Sequence, residues 1–363
     1  MFPNLKFLNY NPYDSYYQII SFAKLPLSVC SSTLFELHIN VRNAEDCLHL
    51  LDGRFNQLHV FNVKIQSALS SIPTISEEKL LSLRYFSLTC VSKMYFYDTI
   101  VIPLLHRMSN LEELRLYFNC SREESFVDGN DLKTNILIHL PRLTTFKFNI
   151  CSFINHYNQS DLLSNEDIRN TFRDFSNNEI ISCVDYFPDE NKGQCHIYSY
   201  PFTLISYERI TNNFPGGLFP YVRKVSLFDE QPFQHEFFIR IQKSFPFIKK
   251  LTVTNWKAQN HKQHEKSKDD NRDLSLIHYQ HLTSLFLTEV HDDYIEEFLL
   301  DTKTALPFNL TLYVDYYSIR RVTHHFKRIE TRINCSKINC VYLDNVHHFS
   351  KDFRNYFLST EYM

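Results

Sequence analysis

Glycine is scarce in this chain: five residues in 363, at Gly53, Gly129, Gly193, Gly216 and Gly217. The sequence has no Gly-x-Gly-x-x-Gly, Walker-type Gly-Lys-Ser/Thr or Gly-x-Ser-x-Gly motif, whose tight loops need backbone conformations that glycine adopts cheaply. Long apolar runs are missing too. None approaches the roughly 18 to 20 residues of a membrane span, and no basic segment followed by an apolar one opens the chain, so no membrane partner is expected. Nor is one sign of charge in large excess: 38 Lys+Arg against 41 Asp+Glu leave a formal net charge of −3. Without a global basic field the bulk attraction that supports nucleic-acid binding is lost, and no nucleic-acid partner is expected. The nine cysteines are odd in number and scattered. That distribution suits reduced thiols in the cytoplasm or nucleus rather than a disulfide framework.

Constellations that could carry chemistry dissolve on inspection of their spacing. His261-Lys-Gln-His264-Glu265 places two His at i and i+3 with Glu after them, not the His-Glu-x-x-His spacing that puts two ligands on one helix face. In His324-His325 and His347-His348 adjacent side chains point apart, and no Cys or carboxylate stands at ligand spacing. Glu112-Glu113 reads as exposed strand and Asp292-Asp293 as a helix start, where carboxylates suit the dipole. Cys30, Cys47 and Cys183 lack the surroundings of an activated thiol and read as small hydrophobes. The Asn-x-Ser/Thr triplets at Asn119, Asn158, Asn309 and Asn334 read as chance matches. No enzyme, no metal and no cofactor is therefore expected.

What the chain does have is hydrophobic residues at 44%, charged residues at 22%, and 32 Phe with 22 Tyr, a composition able to fold a substantial core. It also has a recurring phrase, apolar-x-x-apolar-x-apolar. Copies stand at Leu5/Leu8/Tyr10, Leu34/Leu37/Ile39, Leu58/Phe61/Val63, Leu83/Phe86/Leu88, Leu111/Leu114/Leu116 and Leu143/Phe146/Phe148. Others follow at Val222/Val225/Leu227, Ile248/Leu251/Val253, Leu282/Leu285/Leu287 and Ile338/Val341/Leu343. Successive copies lie mostly roughly 24 to 34 residues apart, at or just beyond the period of leucine-rich repeats. The expectation is an α/β leucine-rich-repeat solenoid over residues 1–363, with a curved parallel β-sheet on its concave face and helices on its convex face.

Within each copy the last positions predict a short strand. Helices are expected at Ser76 to Leu81, Asp161 to Asp174 and Asp292 to Leu300, on capping residues and apolar spacing. Asn119 and Cys151 stand at the ninth position of their copies, where such a side chain would satisfy backbone groups in the turn after the strand. Degenerate strands are expected around His196 to Tyr200 and at Leu310/Leu312/Val314, and a turn at Asn212 to Leu218. Residues 257–273, rich in Lys, His, Gln, Asp and Asn, read as a mobile polar loop insertion.

The stretches Phe214-Pro-Gly-Gly-Leu-Phe, Val222-Arg-Lys-Val-Ser-Leu-Phe-Asp, Pro232-Phe-Gln-His-Glu-Phe-Phe and Phe245-Pro-Phe-Ile-Lys-Lys-Leu resemble a large group of invertebrate F-box/leucine-rich-repeat-like proteins. In that family the F-box, a helical module near the N-terminus, binds the adaptor of a cullin-type ubiquitin ligase, while the repeats capture substrate. The resemblance thus implies the substrate-binding region of a ligase subunit. Here Phe2-Pro-Asn-Leu-Lys-Phe-Leu-Asn-Tyr follows Met1 directly and already reads as a strand. The F-box is expected to be missing, the chain to derive from a truncated gene model or a diverged remnant, and the adaptor to be a partner only if an F-box lies upstream. An uncapped first copy would expose Leu5, Leu8 and a strand edge. The alternative is a stand-alone scaffold or inhibitor with no ligase role.

Strand alternation assigns a second set of side chains to the face opposite the apolar pair. Lys147, Lys224 and Lys250 are expected to form a basic ridge there, bordered by Arg223 and Lys249, with Arg115 among its neighbours and Tyr85 and Phe286 as anchors. Such a face would receive an acidic segment of another protein.

Overall fold

A computed structural model describes residues 4–10, 19–22, 30–67, 75–155, 163–175, 179–260, 275–344, 351–357 and 361–362. They fall into two compact units, residues 1–186 with 190–201 and residues 187–189 with 202–363.

The first unit is organised by an eight-stranded sheet built from β1 (Phe7–Tyr10), β2 (Glu36–Val41), β3 (Val60–Ile65), β4 (Tyr85–Cys90), β5 (Glu113–Arg122), β6 (Thr145–Asn155), β7 (Ile180–Phe187) and β8 (Lys192–Ser199). Strands β1 to β6 are parallel, each paired with the next. Their apolar positions line up in register, Leu37 with Phe61, Phe86, Leu114 and Phe146, and all five are buried. That row and the next, Ile39 to Phe148, form the core; each large side chain so buried contributes about 1.5 to 3 kcal/mol. Phe7, Leu8 and Tyr10 of β1 are exposed.

The second unit holds a seven-stranded parallel sheet. Its strands are β9 (Ser206–Ile210), β10 (Lys224–Phe228), β11 (Lys250–Asn255), β13 (Ser284–Val290), β15 (Leu310–Asp315), β16 (Ile338–Asp344) and β17 (Glu361–Tyr362); the short β12 (Ile277–His278) and β14 (Thr304–Ala305) pair separately. Val225, Leu251, Leu285, Leu312 and Val341 form its central buried row.

Helices are short and unevenly placed: α1 (Ala44–Leu50), α2 (Ile102–Leu105), α3 (Gly129–Asn135), α4 (Asn165–Asn170), α5 (His235–Ser244), α6 (Asp292–Leu299), α7 (Tyr316–Val322), α8 (Arg332–Cys335) and α9 (Lys351–Tyr356). α6 begins at the acidic pair, with Asp292 and Asp293 in its first turn, and buries Tyr294, Ile295, Phe298 and Leu299. α4 starts with a reciprocal capping box between Ser164 and Asp167.

The α/β class stands, but the leucine-rich-repeat solenoid is overturned. Such a solenoid runs one parallel ladder through every copy, whereas here the first ladder ends where β8 pairs antiparallel with β6 and β7 forms the edge. A separate sheet begins with β9. The degenerate strand around His196 is β8, and it runs opposite to its partner. Ser76 to Leu81 is not helical. Its backbone is satisfied from outside instead: the buried Arg107 guanidinium donates to the Glu78 carbonyl at 2.7 Å and the Leu80 N–H donates to the Arg107 carbonyl at 2.7 Å. Asn119 and Cys151 sit inside long strands as register partners, not in turns. Of the polar insertion, residues 261–273 lie outside the described residues, as do His261, His264, Glu265, His347, His348 and Asn158.

Candidate functional site

Alternation along β10 and β11 buries Val225, Leu227, Leu251 and Val253 and leaves Lys224, Ser226, Lys250 and Thr252 on the opposite face. Lys224 and Lys250 are direct register partners, about 4.8 Å apart in backbone spacing. Arg223 and Lys249 immediately precede the two strands, so four cations crowd the start of neighbouring strands. The Arg223 guanidinium donates to the carbonyls of Pro220 (2.7 Å) and Val222 (3.0 Å) and lies 5.3 Å from the centroid of the Phe247 ring. Four carboxylates of this unit are engaged elsewhere: Asp292 with Arg321, Glu297 with Lys303, Glu296 with Arg328 and Asp189 with Lys257. Among the described residues none of the four cations has a carboxylate within ion-pair distance.

The same alternation on the next strands puts Phe286, Tyr313 and Tyr342 in one register row. Their rings stack, Phe286 on Tyr313 at 3.9 Å and 7° and Tyr313 on Tyr342 at 4.5 Å and 3°. Lys250 reaches across to place its ammonium 4.1 Å from the Phe286 centroid. All three rings are half-buried, because their faces cover one another while their edges reach solvent. Asp315 and Asp344, register partners on β15 and β16, complete this face with negative charge at the strand ends.

The expected site residues therefore come together in two groups. Lys224, Lys250 and Phe286 share the second sheet. Tyr85, Arg115 and Lys147 share the first, where the Arg115 guanidinium carbon lies 5.3 Å from the Tyr85 ring centroid and Lys147 is the register partner of Arg115. Lys147 lies in a different sheet and a different compact unit from Lys224 and Lys250, so the three do not line one continuous sheet. In the first sheet the Arg115 charge is answered internally by Glu113 at 2.7 Å. Tyr313 and Tyr342 were missed, although the alternation that sends Leu312 and Val341 inward sends these two outward.

Buried polar groups elsewhere hold the fold together. His235 Nδ1 lies 2.5 Å from Glu297 Oε1, its Nε2 lies 3.2 Å from the Ser275 carbonyl, and Lys303 Nζ lies 3.3 Å from Glu297 Oε2. The hydrogen bond that the His235 imidazole donates to the Glu297 carboxylate outweighs burial and raises the His235 pKa. Burial pushes the Glu297 carboxyl up, but His235 and Lys303 outweigh it and hold it below its ordinary value. Burial likewise raises the thiols, Cys47 to about 12 and Cys90 to about 11. A cleft of about 200 Å³ in the first unit, walled by Leu50, Leu51, Phe55, Leu58, Leu80 and Leu83, is small beside ordinary ligand pockets. Among the described residues no group of three or more His, Cys, Asp or Glu is placed to hold a metal, and no helix is long and apolar enough to cross a membrane.

In comparisons with known proteins, no family model, no curated protein and no solved structure matches this chain.

Proposed function

We propose that the chain recognises another protein and captures an acidic segment of it on the outward face of the second sheet. What supports this reading above all is the set of four cations, Arg223, Lys224, Lys249 and Lys250, gathered at two adjacent strand starts with no carboxylate partner among the described residues. Like charges held together without a counterion raise the local potential and favour an anionic partner. A polynucleotide fits this face less well: the faces of Phe286 and Tyr313 that bases would stack on are covered by neighbouring rings and by Lys250, and Asp315 and Asp344 would repel a continuing phosphate backbone. The nine cysteines, odd in number and scattered, suit a reducing compartment, cytoplasm or nucleus. Attachment to a cullin-type ligase is a second and separable part of the proposal, and co-purification of the adaptor tests it.

The test of capture is fluorescence polarisation with a labelled Glu-rich peptide and a Lys-rich peptide as control. Lys224→Glu with Lys250→Glu should weaken the Glu-rich peptide at least about tenfold, because two attractions of up to about 1 kcal/mol each become repulsions. Undiminished binding by the folded double variant would overturn the reading.

A further inference from the structure

Resting on that reading, we infer that the captured segment is extended and carries a carboxylate and an aromatic ring separated by one residue. The carboxylate is set by Lys224 and Lys250, side by side on β10 and β11. The aromatic ring follows from the ladder beside them. Phe286 and Tyr313 present edges rather than faces: Tyr313 is stacked between Phe286 and Tyr342, and Phe286 between Tyr313 and the Lys250 ammonium. A ring edge carries the positive end of the aromatic quadrupole and seeks the face of another ring in an edge-to-face contact. A partner ring lying flat across the Phe286–Tyr313 step would meet two such edges at once.

The spacing comes from the sheet itself. Strands β11, β13 and β15 are consecutive neighbours, about 4.8 Å apart. From β11 to the midpoint of β13 and β15 is one and a half spacings, about 7 Å. An extended peptide crossing the strands returns a side chain to the same side every second residue, about 6.8 Å. One intervening residue therefore places a carboxylate over Lys250 and a ring over the Phe286–Tyr313 step, whichever way the peptide runs. Two intervening residues would turn the ring away from the sheet. Asp315 and Asp344 at the far ends of β15 and β16 disfavour a second carboxylate there and keep the acidic end at the lysines.

The experiment is selection of random nonapeptides displayed on phage against the immobilised full chain, then polarisation of the leading labelled peptide against variants. The expected result is enrichment of Asp or Glu and an aromatic residue with one residue between them. Binding should fall about threefold to tenfold with Tyr313→Leu, persist with Tyr313→Phe, and be lost with Lys224→Glu and Lys250→Glu together. A folded Tyr313→Leu variant is recognised by an unchanged urea transition; should it fail to fold, moving the peptide's ring by one position on the unaltered chain gives the same test. Enrichment of acidic peptides without an aromatic residue at that spacing overturns the inference and leaves protein recognition standing. Peptides indifferent to the lysine reversals, or a labelled oligo-dT that displaces the selected peptide, overturn the recognition reading itself.

Discussion

The ammonium of Lys250 sits 4.1 Å from the centroid of the Phe286 ring, and Tyr313 stacks on Phe286 at 3.9 Å. A cation held over a half-exposed ring is worth about 0.5 to 1 kcal/mol. A double-mutant cycle of Lys250→Met and Phe286→Leu by urea unfolding should return a coupling of about that size. Zero coupling would reduce the pair to proximity.

The two faces of the sheets separate by stability. Leu114→Ala and Leu251→Ala each remove a fully buried side chain and should cost about 2 to 5 kcal/mol, read in the unfolding of the respective unit. Lys250→Ala should cost under about 1 kcal/mol, the worth of its ring contact. Equal losses for Leu251→Ala and Lys250→Ala would mean that the faces are wrongly assigned.

His235 and Glu297 stabilise the second unit as an ion pair. His235→Phe leaves Glu297 buried with Lys303 alone and should cost about 3 kcal/mol near pH 6. The raised His235 pKa means that its contribution is full below the unfolded histidine value and is lost as pH rises through the folded one. The lowered Glu297 pKa means that its contribution is present above the unfolded glutamate value and is lost as pH falls through the folded one. The deficit of His235→Phe should thus shrink on both sides of weakly acidic pH. A pH-independent deficit would assign it to packing.

His196 behaves oppositely. Buried with Nε2 2.5 Å from Asn149 Oδ1, it is held neutral, its pKa lowered by burial to about 4. The unfolded chain binds that proton more readily, so stability of the first unit should fall as pH drops from about 6.5 toward about 4. His196→Gln should flatten this part of the profile, and an unchanged slope would assign the acid sensitivity to other groups.

Eight of the nine cysteines are buried and Cys30 is exposed. One thiol per chain should react quickly with a chromogenic disulfide under native conditions, and nine in denaturant. Several fast thiols in the native protein would contradict the burial.

The strands were legible because their signature is local. Leu34, Leu37 and Ile39, or Ile248, Leu251 and Val253, each fall within six consecutive residues, and every member of each triplet is buried. Asp292 and Asp293 likewise announced the start of α6. Ser76 to Leu81 misled because a buried arginine 29 residues away in sequence, Arg107 to Glu78, supplies its hydrogen bond, and nothing local reports that.

The same division runs through the candidate site. Outward placement of Lys224, Lys250 and Phe286 follows from the sequence alone, since successive side chains of a strand must point to opposite faces. Which strand lies beside which was decided only by tertiary structure: the antiparallel pairing of β6 with β8 ends the parallel ladder, and Lys147 belongs to a different sheet from Lys224 and Lys250. Tertiary structure also decided which charges are answered, Glu297 by His235 from 62 residues away, while the lysines of β10 and β11 are left without a carboxylate among the described residues. Alternation is imposed by the covalent geometry of each strand, whereas sheet order and the pairing of charges depend on contacts between residues far apart in the chain.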